Sequence, residues 1–225
     1  MTKEFLRSNF IAICLGAWLV LLYPVIFIPK GTLELVINAN QTDFLNVFFK
    51  YITHLGDGLL LALLLVSLLF VSYSWSIITA FSIAVQAILV SLFKRWIFKG
   101  LERPLAFFGD DVQLNLVEGV DVHSSNTFPS GHTASAFTLF TLLCLVFHHR
   151  TLLISLFWVM LALFVGLSRV YLMQHFLIDA YFGAIFGVIS VFAGLFLTEL
   201  IFSEAKLSYL RHRSLRNYFG NRNRS

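Results

Sequence analysis

Long runs of uncharged, apolar residues constrain the fold of this chain more than any other feature. Residues 9–28 and residues 58–93 contain no charged side chain. A helix needs about 20 apolar residues to cross the hydrocarbon core of a bilayer. Only 12% of the residues are charged and the mean hydropathy is +0.83, whereas a soluble domain has about 25% charged residues. The sequence therefore predicts one all-α integral membrane domain over residues 1–225.

The apolar runs divide into six predicted transmembrane helices. Pro24 lies inside the first run and Pro29 follows it, so the first helix is expected to be kinked and then to end there. The serine-rich stretch at residues 72–76 divides the longest run into a helical hairpin. The predicted spans are residues 9–28, 58–72, 75–94, 133–146, 152–167 and 178–202.

Two segments outside the spans have their own predicted structure. An interfacial helix is expected within residues 32–57, capped by Thr42 or Asp43. Residues 95–129 form a long polar loop between the third and fourth spans, and a loop of this length is more often functional than idle. The predicted interfacial helix has an apolar face of Phe44, Val47, Phe48, Tyr51, Ile52 and Leu55, with Asn46, Lys50 and Thr53 toward water.

The distribution of basic residues predicts the orientation. Cytoplasmic segments are enriched in Lys and Arg, and residues 204–225 contain six such residues against Glu204. No nucleic-acid-binding motif accompanies this tail, so we interpret it as a cytoplasmic, lipid-facing segment. Both termini are then cytoplasmic and the long loop is extracytoplasmic. The cations on the cytoplasmic side are Lys3, Arg7, Arg150, Lys206, Arg211, Arg213, Arg216, Arg222 and Arg224.

Two polar clusters flank the long loop. Lys94 and Arg103 either mark the membrane boundary as snorkelling cations or clamp a phosphoryl group. Pro129, Ser130, Gly131 and His132 directly precede an apolar helix. They either form a plain helix cap or offer an anion the free amides of a helix N-terminus, with His132 placed to donate a proton.

The third cluster lies between the fifth and sixth spans. His175 and Asp179 are four residues apart, so they share a face if one helix contains both. A carboxylate bonded to one ring nitrogen would leave the other as a nucleophile, and Arg169 would hold phosphate oxygens. The alternative is a structural ion pair between Arg169 and Asp179. On this topology, all three clusters lie on the extracytoplasmic face.

Together these clusters resemble the three signature motifs of the type-2 phosphatidic acid phosphatase superfamily. The motifs are Lys94 with Arg103-Pro104, then Pro129-Ser130-Gly131-His132, then Ser168-Arg169 with His175 and Asp179. The first motif departs from the usual spacing, because eight residues rather than six separate Lys94 from Arg103. Arg95 is therefore an alternative for the first cation.

The resemblance implies metal-independent hydrolysis of a lipid phosphomonoester or diphosphate through a phosphohistidine. It implies that His175 is the nucleophile, that Asp179 orients it, and that His132 is the acid and base. No cofactor or metal is implied, and the expected partners are a phosphorylated lipid and the membrane, without nucleic acid. The implied phosphate-binding residues are Lys94, Arg103, Ser130, Gly131 and Arg169.

Three functions remain open on the sequence: a lipid phosphate phosphatase, a phosphotransferase with the same site, and a catalytically inactive lipid-binding or transport protein. The substrate is also open among undecaprenyl diphosphate, phosphatidylglycerophosphate, phosphatidic acid and lipid A phosphates. We expect a bacterial inner-membrane enzyme whose site faces the periplasm.

Of the other histidines, His123 lies in the loop and could line the site, His148 and His149 lie in a cytoplasmic turn, and His54 and His212 have no polar cluster around them.

Overall fold

The computed structural model describes residues 2, 8–147 and 151–216, and the regular structure of these residues is entirely helical. Lys3, Arg7, His148, His149, Arg150, Arg222 and Arg224 lie outside the described residues. The helices are α1 (Asn9–Phe27), α2 (Thr32–Ala39), α3 (Asp43–Ile52), α4 (Gly58–Leu69), α5 (Tyr73–Leu92), α6 (Pro104–Phe108), α7 (Gly131–Val146), α8 (Leu152–Tyr171), α9 (Leu177–Ile201) and α10 (Glu204–Arg211).

Four helices in the described residues are long and apolar enough to cross a membrane. These are α1, α8, α9 and the unit of α5 with the π-helical turn Phe93–Ile97. A fifth candidate is the pair of α3, extended by the 3₁₀ turn Thr53–Gly56, and α4, which is bent by 47°. The chain is therefore an integral membrane protein. The expectation of six spans depends on two short apolar helices, α4 with 12 residues and α7 with 16.

Helix α7 occupies the centre of the bundle. It packs against α5, α8 and α9, and most of its side chains are buried. A helix that is apolar on every side belongs in an interior. Helix α9 packs against both α5 and α7, whereas α1 packs on the outside of α8 and buries only Phe10, Ile11 and Cys14.

Glycine allows α7 and α9 to approach closely. A Cβ atom added at Gly187 would lie 2.5 Å from the carbonyl oxygen of Ala134 and 2.7 Å from Cβ of Phe137. Small residues at helix contacts are the usual way for membrane helices to bring their backbones together. The Thr138 hydroxyl adds a hydrogen bond of 3.2 Å to the Gly187 carbonyl. This contact fixes α7 and α9 relative to one another.

The interfacial segment consists of α2, α3 and the 3₁₀ turn rather than one helix. Thr42 caps α3 as predicted, because its hydroxyl accepts a hydrogen bond from Leu45 N at 3.4 Å. The prediction that Asn46, Lys50 and Thr53 of this segment face water is wrong. Of the apolar residues of α3, Phe44, Val47 and Tyr51 are exposed.

The three polar residues that were expected to face water are turned toward the protein instead. Asn46 Oδ1 accepts a hydrogen bond from Tyr171 Oη at 2.7 Å, and Lys50 Nζ donates to the Glu118 carbonyl at 2.7 Å. Thr53 is buried. An interfacial helix at the edge of a membrane protein has apolar lipid on one side and a polar site on the other. The usual arrangement for a soluble protein, with the apolar face inward, is therefore reversed.

The long loop is folded against these interfacial helices. Asn38 and Asn115 exchange side-chain and backbone hydrogen bonds, including Asn38 Nδ2 to the Asn115 carbonyl at 2.7 Å. At the other end of the loop, Gln174 Nε2 donates to the Asp121 carbonyl at 2.6 Å. These bonds satisfy backbone groups that would otherwise lack partners near the membrane.

We predict that Gly187→Ala destabilises the bundle by about 1–3 kcal/mol, because a methyl group there collides with α7. The measurement is the thermal unfolding temperature in detergent. Gly16→Ala is the matched control, since nothing lies within 4 Å of a Cβ atom at Gly16. The control should be neutral or more stable, because alanine favours helix over glycine by about 1 kcal/mol. Equal effects of both substitutions would contradict the close α7–α9 contact.

Candidate active site

Four helix ends meet at one end of the bundle: the C-terminal ends of α5 and α8 and the N-terminal ends of α7 and α9. The backbone joins two of the predicted motifs directly, because Ser130 N donates to the Asp179 carbonyl at 3.0 Å. The amides of Gln174 and His175 donate to the Arg169 carbonyl at 2.9 and 3.1 Å, which folds the chain back after α8. The second and third motifs therefore form one site.

His175 and Asp179 meet, but they do not share the face of one helix. His175 precedes α9, which begins at Leu177 with Phe176 as its N-cap. Met173 has a φ of 54° in the turn that separates α8 from α9, so one helix does not contain both site residues. The pair forms because Asp179 lies in the first turn of α9 and its Oδ2 reaches back to within 3.5 Å of His175 Nδ1.

The carboxylate of Asp179 is held by two further donors. Phe176 N donates to Oδ2 at 2.9 Å, and the hydroxyl of Thr127 donates to the same oxygen. Thr127 is also 3.4 Å from His175 Nδ1. Because a carboxylate only accepts hydrogen bonds, Nδ1 of His175 carries the hydrogen and Nε2 keeps its lone pair. Sequence reasoning missed Thr127, which no motif distinguishes from the other hydroxyl residues of the loop.

His175 is buried, and its surroundings favour the neutral ring. Burial lowers the pKa of His175 to about 3, against the opposing hydrogen bond and charge of Asp179. The positive charges of Arg103 and Arg169 lower this pKa further. At neutral pH the imidazole is therefore uncharged and its Nε2 lone pair is available to an electrophile.

Arg103 and Arg169 are both buried beside this pair. Arg103 is held by carbonyl and amide oxygens, with Nε to the Ser125 carbonyl at 3.0 Å and Nη1 to the carbonyl and side-chain oxygens of Gln174 at 3.2 and 3.1 Å. Burial lowers the pKa of Arg103, and Asp179 opposes that change. These neutral partners position the guanidinium without neutralising its charge.

The guanidinium of Arg169 forms one side-chain hydrogen bond through Nη1 and, within the described residues, has an unpaired N–H group at Nε. Its Nη1 donates to Thr53 Oγ1 at 2.8 Å, and its Nε is buried without a hydrogen-bond partner in residues 2, 8–147 and 151–216. A buried guanidinium donor left unpaired costs free energy. Such a donor is suited to an anionic ligand.

Lys94 rather than Arg95 is directed toward the site. Lys94 is half-buried within the π-helical turn and interacts electrostatically with Arg103, Asp179 and Arg169. Arg95 is exposed. Lys94 and Arg103 thus both interact with the Asp179 carboxylate.

The second motif forms the first turn of α7. Ser130 is the N-cap, and its Oγ accepts hydrogen bonds from Thr133 N at 3.4 Å and Thr133 Oγ1 at 2.9 Å. Gly131 is the first helical residue, where backbone amides lack acceptors within the helix. His132 follows, and its Nε2 lies 2.9 Å from Asp57 Oδ1.

Asp57 and His54 extend the site beyond the three motifs. Asp57 Oδ2 lies 3.0 Å from His54 Nδ1, so one carboxylate contacts two histidines. The expectation that His54 has no polar cluster around it is therefore wrong. The spacing His54-x-x-Asp57 ahead of an apolar helix is the only sequence signal for this pair. His123, in contrast, is exposed on the long loop.

Comparison with known proteins identifies the family. A sequence model described as the PAP2 superfamily matches residues 75–201, which is more than half of the chain. The chain belongs to the PAP2 superfamily. Its resemblance to type-2 phosphatidic acid phosphatases is thereby confirmed.

Two solved structures have a similar fold. The crystal structure of Aquifex aeolicus LpxE matches 74% of this chain and 94% of its own, with 30% sequence identity and a TM-score of 0.63. The PAP2-type phosphatidylglycerolphosphate phosphatase of Bacillus subtilis matches 86% of this chain and 98% of its own, with 22% identity and a TM-score of 0.57. The second likeness concerns the fold alone.

A curated relative matches over a shorter stretch. Lipid A 1-phosphatase of Porphyromonas gingivalis is 34% identical over 84 residues. The match covers 37% of this chain and 19% of that protein. The chain therefore aligns with about a fifth of the length of this relative.

We predict that the His175 ring stays neutral from pH 7 to pH 5, because its pKa is lowered to about 3 by burial. The measurement is histidine ¹⁵N NMR of the protein in detergent micelles, with the signal assigned by its loss in His175→Asn. The Nδ1-protonated tautomer should persist through this range. A titration of this signal with a midpoint between pH 6 and pH 7 would contradict the proposed environment.

Proposed function

We propose that this protein is a membrane lipid phosphate phosphatase that works through a phosphohistidine. The observation that carries the proposal is a buried, neutral His175 beside Asp179, surrounded by the cations Lys94, Arg103 and Arg169. A phosphoryl group carries its negative charge on oxygens around phosphorus, and such a ring of donors stabilises it. The vacant Arg169 Nε supplies one donor directly.

In the first step, the lone pair of His175 Nε2 attacks phosphorus and the bond from phosphorus to the lipid oxygen breaks. His132 gives a proton to that oxygen, and the lipid alcohol, or lipid monophosphate, departs. Asp179 stabilises the positive charge that develops on the His175 ring. Lys94, Arg103, Arg169, Ser130 and the Gly131 amide bind the three equatorial oxygens.

In the second step, water replaces the histidine on phosphorus. His132, now neutral, takes a proton from the water as it attacks, and the bond from phosphorus to Nε2 breaks. Inorganic phosphate leaves and His175 regains its lone pair. His132 ends the cycle protonated, so the two steps consume one water and require no outside acid.

The three cations supply the positive charge that metal ions supply in many phosphoryl-transfer enzymes. We therefore propose that hydrolysis is metal-independent. Activity should persist after dialysis against a chelator.

The proposed topology has six spans, with α4 and α7 as the two short ones. At 1.5 Å per residue, α7 is about 24 Å long, which suits a helix whose N-terminus begins inside a polar site rather than at the membrane surface. Tyr73 N donates to the Arg213 carbonyl at 2.9 Å, so the basic segment after α9 lies at the end of α5 opposite Lys94. The positive-inside rule then favours cytoplasmic termini and a site that faces the periplasm.

An envelope lipid is the proposed substrate, and the phosphates of lipid A are the first candidates. The support is the 34% identity to lipid A 1-phosphatase of Porphyromonas gingivalis. The exposed apolar residues Phe44, Val47 and Tyr51 support a contact between α3 and lipid next to the site. The lipid tails would then remain in the bilayer while the phosphate enters.

The test is release of phosphate from a panel of lipid A, phosphatidylglycerophosphate, phosphatidic acid and undecaprenyl diphosphate in mixed micelles. We predict that His175→Asn lowers the rate by roughly a thousandfold or more, because the nucleophile is lost. His123→Asn is the matched control on the exposed loop and should retain the rate. Transfer of labelled phosphate to a lipid acceptor without free phosphate would identify a transferase, and full activity of His175→Asn would exclude the proposed mechanism.

A second pair of substitutions tests whether Lys94 or Arg95 is the first cation of the site. We predict that Lys94→Ala lowers kcat by roughly a hundredfold or more, since an electrostatic donor to the transition state is removed. Arg95→Ala, next in the chain and exposed, should stay within about twofold. A large loss of kcat in Arg95→Ala with little change in Lys94→Ala would show that Arg95 is the cation of the first motif.

A further inference from the structure

The carboxylate of Asp57 bridges two histidines at the edge of the site. Its Oδ1 lies 2.9 Å from His132 Nε2 and its Oδ2 lies 3.0 Å from His54 Nδ1. The side chains of His132 and Asp57 are 37% and 39% exposed, and that of His54 is 64% exposed. The contacts thus run from the site to the surface.

A capping role does not explain this carboxylate. Asp57 is the N-cap residue of α4, where an aspartate normally accepts a hydrogen bond from an amide of the first turn. No such side-chain bond forms here. The carboxylate is directed toward His132 and His54 instead.

The backbone before Asp57 is adapted to this contact. A Cβ atom added at Gly56 would lie 2.6 Å from the carbonyl oxygen of His132 and 2.8 Å from Cγ1 of Val165. Only a glycine lets the 3₁₀ turn lie against the first turn of α7 this closely. The close packing of this turn against α7 therefore places Asp57 next to His132.

We infer that Asp57 is a positioning residue that orients His132 for proton transfer, and that His54 holds Asp57 in place. This inference rests on the proposed function. Because a carboxylate only accepts, His132 Nε2 carries a hydrogen toward Asp57 and Nδ1 is the atom that exchanges the proton. In the first step Nδ1 gives its proton to the lipid oxygen, and in the second Nδ1 takes one from water.

The negative charge of Asp57 also affects the protonation of His132. His132 interacts with the positive charges of Lys94 and Arg169 as well as with Asp57. Two cations oppose a charged imidazolium, and a bonded carboxylate favours it. The carboxylate of Asp57 thus offsets part of the unfavourable effect that burial and these cations have on the acid form of His132.

The leaving group provides the test, because only a poor leaving group needs the proton of His132. We predict that Asp57→Asn slows hydrolysis of an alkyl phosphate lipid by about tenfold to a hundredfold. Phosphoenzyme formation from a lipid-like aryl phosphate, measured as the product burst, should change less than about threefold, and KM should stay within about twofold. Asp43→Asn, an exposed carboxylate in the first turn of α3, is the matched control and should leave both rates unchanged.

A double substitution tests the part played by His54. His54→Ala alone should lower the alkyl phosphate rate by about twofold to fivefold, and it should add nothing in the Asp57→Asn background. Equal losses on alkyl and aryl substrates would overturn the proposal, because they indicate a general structural defect. Fully additive losses from the two sites would overturn the role of His54.

A measurement without turnover separates this proposal from the proposed function. Histidine ¹⁵N NMR should show the Nε2-protonated tautomer of neutral His132 in the unmodified protein, and a mixture of tautomers in Asp57→Ala. If the protein hydrolyses no lipid of the panel, this result still supports the positioning role while the proposed function fails. A His132 signal that Asp57→Ala leaves unchanged would overturn the inference even in an active enzyme.

Discussion

An excess of buried positive charge is the constraint on which the rest of this structure depends. Arg103 and Arg169 are buried and Lys94 is half-buried. Asp179 interacts with Lys94 and Arg103, and Asp57 interacts with Arg169, so three cations face two carboxylates. Cations in such a place cost free energy unless an anion joins them. Neutral oxygens from Ser125, Gln174 and Thr53 position the two guanidinium groups but leave their charge in place. The site is thus preorganised for an anion, and under the proposed function the phosphate of the substrate provides the missing charge.

Helix ends explain how a membrane bundle can hold such a site. The ends of four helices bring free backbone groups to one place, and each motif uses one or two of these ends. Ser130 caps α7 with its side chain while its amide bonds the Asp179 carbonyl on α9. Asp179 caps α9 and orients His175 with the same carboxylate oxygen. The capping bond and the contact with His175 therefore share one oxygen, so loss of Asp179 would affect both the local fold and the proposed active site.

The sequence predicted the helical class, the polar clusters and their common face, because hydropathy and charge report directly on a membrane. The predictions of side-chain orientation failed where a residue is oriented by a partner elsewhere in the chain. Thr53 and Asn46 look like the water-facing side of an amphipathic helix, yet Arg169 and Tyr171 bind them inside the protein. The turn at Met173 and the approach of Asp57 to His132 are likewise products of tertiary packing. Periodicity within one segment contains no information about a contact between segments that are distant in the chain.

The unusual spacing of the first motif has a structural account in the π-helical turn. Helix α5 ends at Leu92, and the wider turn over Phe93–Ile97 contains Lys94. Short π-helical turns are frequent at functional sites, because they change the direction in which side chains project from a helix. The chain then needs residues 98–102 to return to Arg103, whose amide donates to the Ser124 carbonyl at 2.9 Å. Two additional residues between the cations lengthen this return segment while Lys94 and Arg103 still approach the same carboxylate. The spacing of a motif can therefore vary when its members lie on separate elements, provided that the backbone between them is irregular.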